Sequence, residues 1–173
     1  MQMTRTSRAL STSAAVALAI TAFSAAPALA DGSGSSGHSV LRGQLVGSNP
    51  APASPVIAGI KPGGAPWVNA PSEVRVREDG RIEVEINGLV IPPPRGTGVN
   101  PIAAVVATLV CNQMAGASTT AFALSPAGNG YTSDVIAIPS RCADPTVLIQ
   151  PAANRGVYIA SAVDEDGPMA TED

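Results

Sequence analysis

The chain has 173 residues, 45% of them hydrophobic, with a formal net charge of −3, two cysteines, one histidine and one tryptophan. An acidic chain with few basic residues is a poor match for nucleic acid or an anionic membrane surface. Two cysteines and one histidine cannot supply the three or four clustered ligands of a zinc centre, and no cofactor or metal is expected.

Residues 1–30 read as a signal peptide. Arg5 and Arg8 form its positive start, Ala14 to Ala26 its apolar stretch, and Ala28-Leu29-Ala30 its cleavage site, leaving Asp31 as the expected new N-terminus. The two arginines are not adjacent, which favours the general secretory route over a twin-arginine one. The apolar stretch is too short for a membrane span, and no later apolar run reaches about 18 residues. The expected location is therefore secreted and extracellular, with no membrane insertion of the exported chain. Loss of Arg5 and Arg8 leaves eight basic residues against 13 acidic ones, a net charge of −5.

Residues 31–39 form a Gly/Ser linker. Gly32, Gly34 and Gly37 spell G-x-G-x-x-G, but the dinucleotide fingerprint needs a strand before it and a helix after it. A cleavage site precedes it here, so no nucleotide is expected. His38, the one histidine, sits in the same linker. That placement argues against Ser-His-Asp or Cys-His catalysis, which needs a positioned imidazole.

Val40 to Val46 reads as a first strand with Leu41 and Leu45 inward. Residues 47–71 are loop-rich, with six prolines, a short strand at Val56-Ile57 and a turn at Lys61-Pro62-Gly63-Gly64. Trp67 follows. It is either an exposed binding anchor or, the favoured reading, a plug at one end of a small core.

The clearest signal is Ser72 to Ile91. Val74 and Val76 alternate with Arg75 and Arg77; Ile82, Val84 and Ile86 alternate with Glu83 and Glu85. Alternation of this kind marks strands with one buried face, and Asp79-Gly80 between them marks a hairpin. A two-residue loop would set Val76 opposite Glu83. A three-residue loop, Glu78-Asp79-Gly80, pairs Val76 with Ile82 and Val74 with Val84, and sets Arg75 opposite Glu83. Burial enforces the second register, with Gly80 left-handed in a bulged turn. The charged outer face reads as a solvated surface rather than a recognition strip. Glu83 and Glu85 lie about 7 Å apart by strand rise, but their exposed face gives no reason for tuned acid–base behaviour.

The second strand is expected to run on to Ile91 and stop at Pro92-Pro93-Pro94, because proline cannot donate to a ladder. Residues 92–101 form a loop. Pro92, Pro93, Pro94 and Arg95, with Trp67, are the candidate binding surface. Ile102 to Asn112 is apolar on both faces and rich in β-branched residues, which marks a central strand. Further strands are expected at Ser118 to Leu124, Tyr131 to Ile138, Pro145 to Gln150 and Asn154 to Val163, with a turn at Ser125 to Gly130. Residues 164–173 are half acidic and read as a disordered tail; Asp164, Glu165 and Asp166 lack the spacing of a calcium loop.

In an exported chain the default for Cys111 and Cys142 is a disulfide. These features predict an all-β fold over residues 40–163: one antiparallel, immunoglobulin-like sandwich of seven to nine strands, with a small barrel as the alternative.

The run Val56-Ile57-Ala58-Gly59-Ile60-Lys61-Pro62-Gly63-Gly64-Ala65-Pro66-Trp67, then Glu73-Val74-Arg75-Val76, Asp79-Gly80-Arg81-Ile82, Gly88-Leu89-Val90-Ile91-Pro92 and the two cysteines, resembles an uncharacterised group of small secreted proteins from high-GC Gram-positive bacteria. The resemblance covers residues 40–163. It implies export and a single β domain, and it brings no site residues with it. The expected function is a secreted, non-catalytic module that binds a protein or glycan partner outside the cell. The alternatives are a small-molecule carrier, expected to show a cleft lined by Trp67 or Tyr158, and a protease inhibitor, for which Asn112-Gln113-Met114 beside Cys111 is the suggestive segment.

Overall fold

A computed structural model describes residues 38–163. The signal peptide, linker residues 31–37 and the acidic tail 164–173 lie outside the described residues. Within them the chain is all β: β1 (Ser39–Gln44), β2 (Val46–Gly47), β3 (Lys61–Pro62), β4 (Glu73–Arg77), β5 (Arg81–Ile86), β6 (Ala104–Cys111), β7 (Met114–Ser118), β8 (Phe122–Ala123), β9 (Gly130–Val135), β10 (Thr146–Pro151), β11 (Val157–Tyr158) and β12 (Ala160–Val163). Eight of these have four or more residues; the other four are two-residue strands.

The organising hairpin forms in the register that burial demands. Val74 faces Val84, Val76 faces Ile82, and Arg75 faces Glu83. Gly80 has φ +87°, its N–H donates to the Arg77 carbonyl at 3.0 Å, and the Asp79 carboxylate accepts from the Arg81 N–H at 3.0 Å. Val74, Val76, Ile82, Val84 and Ile86 are all buried. At roughly 1.5–3 kcal/mol each, they outweigh anything a slipped register offers.

Two antiparallel sheets carry the fold. The first has the order β1-β4-β5-β9; the second has the order β2-β12-β10-β6-β7, with β8 also on β6. The run expected as one strand at Val40 to Val46 crosses between them, β1 pairing with β4 and β2 with β12. The facing sheets and the strand that passes from one to the other are the immunoglobulin-like features, an architecture shared among sandwiches of differing strand order. One core lies between the sheets. Leu41, Val74, Val76, Ile82, Val84 and Ile86 enter it from the first, and Val105, Ala107, Leu109, Val147, Ile149 and Ala160 from the second.

The reading of β6 as a central strand holds. It lies between β10 and β7, and seven of its eight residues, Val105 to Cys111, are buried. Its outer face is covered by the proline-rich loop. Val110, Leu148 and Tyr158 form a second cluster with Ile57, Ala58 and Ile60 packed on it. The Tyr158 hydroxyl donates to the Pro55 carbonyl at 2.6 Å, and burial raises its pKa above the ordinary 10.0. Beside this cluster, buried Thr108 and Gln150 hydrogen-bond each other, and Thr108 also bonds Ser118, so the polar groups under the loop are satisfied.

Several boundaries differ from the sequence reading. Lys61-Pro62, expected in a turn, forms β3 and pairs in parallel with β11. The hairpin's second strand ends at Ile86 instead of running to Ile91: the Asn87 N–H turns to the Ser72 hydroxyl and Gly88 has φ +64°. Of the strand expected at Ser118 to Leu124 only Ser118, the last residue of β7, and the two residues of β8 form, most of β7 lying before the expected start, and the one expected at Tyr131 to Ile138 is β9, which ends at Val135.

At the β8–β9 corner the sheets are tied together. Asp134 lies opposite Ile82, on the core side of an edge strand. Its carboxylate accepts from the Thr120 N–H at 2.7 Å, the Thr120 hydroxyl at 3.0 Å and the Val135 N–H at 2.7 Å. The Thr120 N–H, then the Val135 N–H, then the Thr120 hydroxyl lower its pKa below the ordinary 3.8. A lowered carboxylate pKa contributes stability above the unfolded value, lost as pH falls through the folded one. The thermal midpoint is thus expected to drop as pH falls below about 3.8, and in Asp134→Asn that part of the acid limb is expected to flatten. Parallel midpoint-versus-pH curves for the two proteins would assign the acid sensitivity to other groups.

Candidate functional site

The candidate surface expected from sequence has two halves, Trp67 and Pro92 to Arg95, and the fold leaves only the second at the surface. Val68 and Val90 exchange backbone hydrogen bonds of 3.0 and 2.9 Å, an isolated bridge that sets the segment after Trp67 beside the one that leads to Pro92. Pro93, Pro94 and Arg95 are exposed and Pro92 is half-buried. The loop folds back on itself: the Gly96 N–H donates to the Pro92 carbonyl at 2.9 Å and the Gly98 N–H to the Ile91 carbonyl at 3.0 Å.

Trp67 itself does not belong to that surface. It is 5% exposed and sits in the main core. Two glycines make room for it: a Cβ on Gly47 would lie 2.4 Å from the Trp67 carbonyl oxygen, and one on Gly63 would lie 3.2 Å from the indole nitrogen. The plug reading is the one the structure bears out, and Trp67 is withdrawn as a binding residue. Tyr158, the other residue expected to line a carrier cleft, is buried beneath the proline-rich loop. His38 is exposed and precedes β1. Among the described residues no three of His, Cys, Asp and Glu come together as a metal site.

The outer face of the hairpin is a graded charged strip. Arg42 stands opposite Arg75, Arg75 opposite Glu83, and Glu73 opposite Glu85, whose other neighbour is the exposed Tyr131.

An apolar groove lies elsewhere, at the corner where the sheets part. A groove of about 340 Å³ runs between β7 and the segment 137–139 that follows β9. Leu109, Cys111, Met114, Ala117, Ile138 and Pro139 are among its lining residues, none of which is charged. Its making can be followed through β6 and β7. Cys111 faces Met114 and Val110 faces Ala115. Residues directly opposite in a ladder share a face, so Met114 points to the core side with Cys111. Yet Met114 is 69% exposed, whereas Cys111 is buried: β9 stops at Val135 and leaves this corner of the second sheet uncovered.

The other wall is clamped in place. The Cys111–Cys142 disulfide forms, with Cα atoms 4.8 Å apart. Asn112 adds three hydrogen bonds to the same segment: its N–H to the Ala143 carbonyl at 2.8 Å, its side-chain amide to the Arg141 carbonyl at 3.0 Å, and its side-chain oxygen from the Ala143 N–H at 3.1 Å. The β6–β7 turn is a tight one, with Asn112 at φ +54° and Gln113 at φ +58°, the left-handed pair of a two-residue hairpin.

At the free side of β7, ladder alternation decides which backbone groups are open. The residues flanking a two-residue turn bond each other, so Ala115, one further on, turns its N–H and C=O away from β6. A bulge between Ala115 and Ser118 interrupts the pairing. The Thr119 N–H bonds the Ala107 carbonyl, so Ser118 is the next outward residue. The corner therefore offers an open donor–acceptor pair beside an apolar groove. The sequence signal for it was compositional: no charged residue lies between Arg95 and Asp134.

No helix of the described residues is long and apolar enough to cross a membrane. No family model, curated protein or solved structure matches the chain.

Proposed function

We propose that this chain is an extracellular, non-catalytic binding module that holds an extended, uncharged segment of a protein partner at the β7 corner. The observation that carries the reading is Met114: a flexible apolar side chain on the core side of its strand, exposed over an apolar groove. Methionine adapts its shape and recurs at surfaces that accept varied apolar partners. Ala115 beside it offers the main-chain pairing by which sheet edges take up peptides. A glycan partner would find no aromatic platform in this groove and one polar side chain, Asn112.

The carrier alternative draws no support from Trp67 and Tyr158, both buried and neither lining the groove. For the inhibitor alternative, Asn112 and Gln113 are curled into a left-handed turn, not an extended strand that a protease cleft takes up.

The test is capture of extracellular material by the tagged chain, compared across two variants. Met114→Glu places a charge in the groove and is expected to weaken a saturable partner by about tenfold or more. A variant with glycine at Pro93 and Pro94 is expected to hold that partner as wild type does. Loss in the loop variant with retention in Met114→Glu would move the site to the Pro92–Arg95 loop.

A further inference from the structure

The corner just described is an edge with nothing to keep a second chain away. Sheet edges are ordinarily blunted by charge, proline, brevity or an inward-pointing charged group. The other outer strands of the two main sheets follow that rule. β1 carries exposed Arg42, β2 and β8 have two residues each, and β9 points Asp134 inward. β7, Met-Ala-Gly-Ala-Ser, has neither charge nor proline, and its bulge interrupts the edge without covering it.

We infer that, in the absence of a partner, the β7 corner is closed by a second copy of this chain, paired antiparallel through β7 about a twofold axis. The inference rests on the reading of that corner as the binding site and names its resting occupant. Charge selects the face: each copy carries net negative charge, and the groove lining carries none. Register selects the axis. A twofold through Ala115 lets the outward N–H and C=O of each Ala115 bond the other, as in any hydrogen-bonded antiparallel pair. The same register sets Met114 against Gly116 of the second copy, where no side chain obstructs it. A Cβ on Gly116 would meet only the Leu109 carbonyl, at 3.2 Å. Both exposed methionines are then covered, as a self-complementary twofold contact requires. The outward groups are confined to Ala115 and Ser118, which keeps the pairing short and reversible, and a partner segment competes for the same edge.

Sedimentation of the purified chain from micromolar to millimolar concentration is expected to show the mass doubling, and Gly116→Lys is expected to stay monomeric across that range. A second pair of variants does not depend on equilibrium mass. Cα atoms in a hydrogen-bonded antiparallel pair lie about 5.5 Å apart, within disulfide reach. Both native cysteines are already paired, so Ala115→Cys carries one free thiol. On mild oxidation it is expected to give covalent dimer about tenfold or more faster than Val135→Cys, whose thiol is also exposed but lies on β9. A single monomeric mass throughout, or equal cross-linking of the two variants, would overturn the inference. Capture of a partner by a chain that stays monomeric would leave the binding reading standing and remove the dimer alone.

Discussion

Trp67→Ala is expected to destabilise the fold by about 3–5 kcal/mol, the usual cost of emptying a buried aromatic site. The residue is 5% exposed and packs within the main core, so its removal leaves a large cavity there. That is a large part of the total stability of a domain this size. Urea unfolding checks it: the midpoint is expected to fall with the slope unchanged. A change under about 1 kcal/mol accompanied by loss of partner binding would return Trp67 to the role of exposed anchor.

Replacing both Cys111 and Cys142 with serine is expected to cost about 3–4 kcal/mol, from the loop-closure entropy of a link spanning 31 residues. A second consequence is particular to this fold. The disulfide joins the end of β6 to the segment that continues from Pro139, the far wall of the groove. Asn112 keeps its hydrogen bonds to Arg141 and Ala143, but these alone hold an exposed loop weakly. Partner capture is therefore expected to fall at temperatures where the double variant is still folded, with circular dichroism and binding followed on the same samples. Binding that stays at the wild-type level until the fold melts would show that the clamp does not shape the site.

What could be read in the sequence follows from which physical signals are local. The β4–β5 hairpin was legible because alternation, the Asp79-Gly80 turn and the charge pattern all point to one register. The central position of β6 was legible because both of its faces are apolar. The cysteine pairing followed from there being two cysteines in a chain read as exported. The pairing of β3 with β11 was not legible, since Lys61-Pro62 and Val157-Tyr158 are remote in sequence and two residues long. The burial of Trp67 was legible only as a preference; the glycines beside it, Gly47 on β2 and Gly63 after β3, are remote from each other in sequence.

The candidate site was the least legible part. β7 has no β-branched residue and no alternation. Its turn places Gln113 at positive φ, a conformation glutamine does not announce, where glycine or asparagine would. Whether an apolar edge is covered depends on where the facing sheet stops, and β9 stops at Val135. Chemistry-based expectations drew attention to the tryptophan and the prolines, whereas the open corner is built from small, neutral residues.

Amide hydrogen exchange, measured on the chain with and without its captured partner, tests the central claim most directly. If the partner lies along the β7 corner, protection is expected to rise at Ala115, Ser118, Ala137 and Ile138, while the amides of residues 95–98 stay unchanged. Protection confined to the amides of residues 95–98, with β7 exchanging as in the free chain, would contradict it.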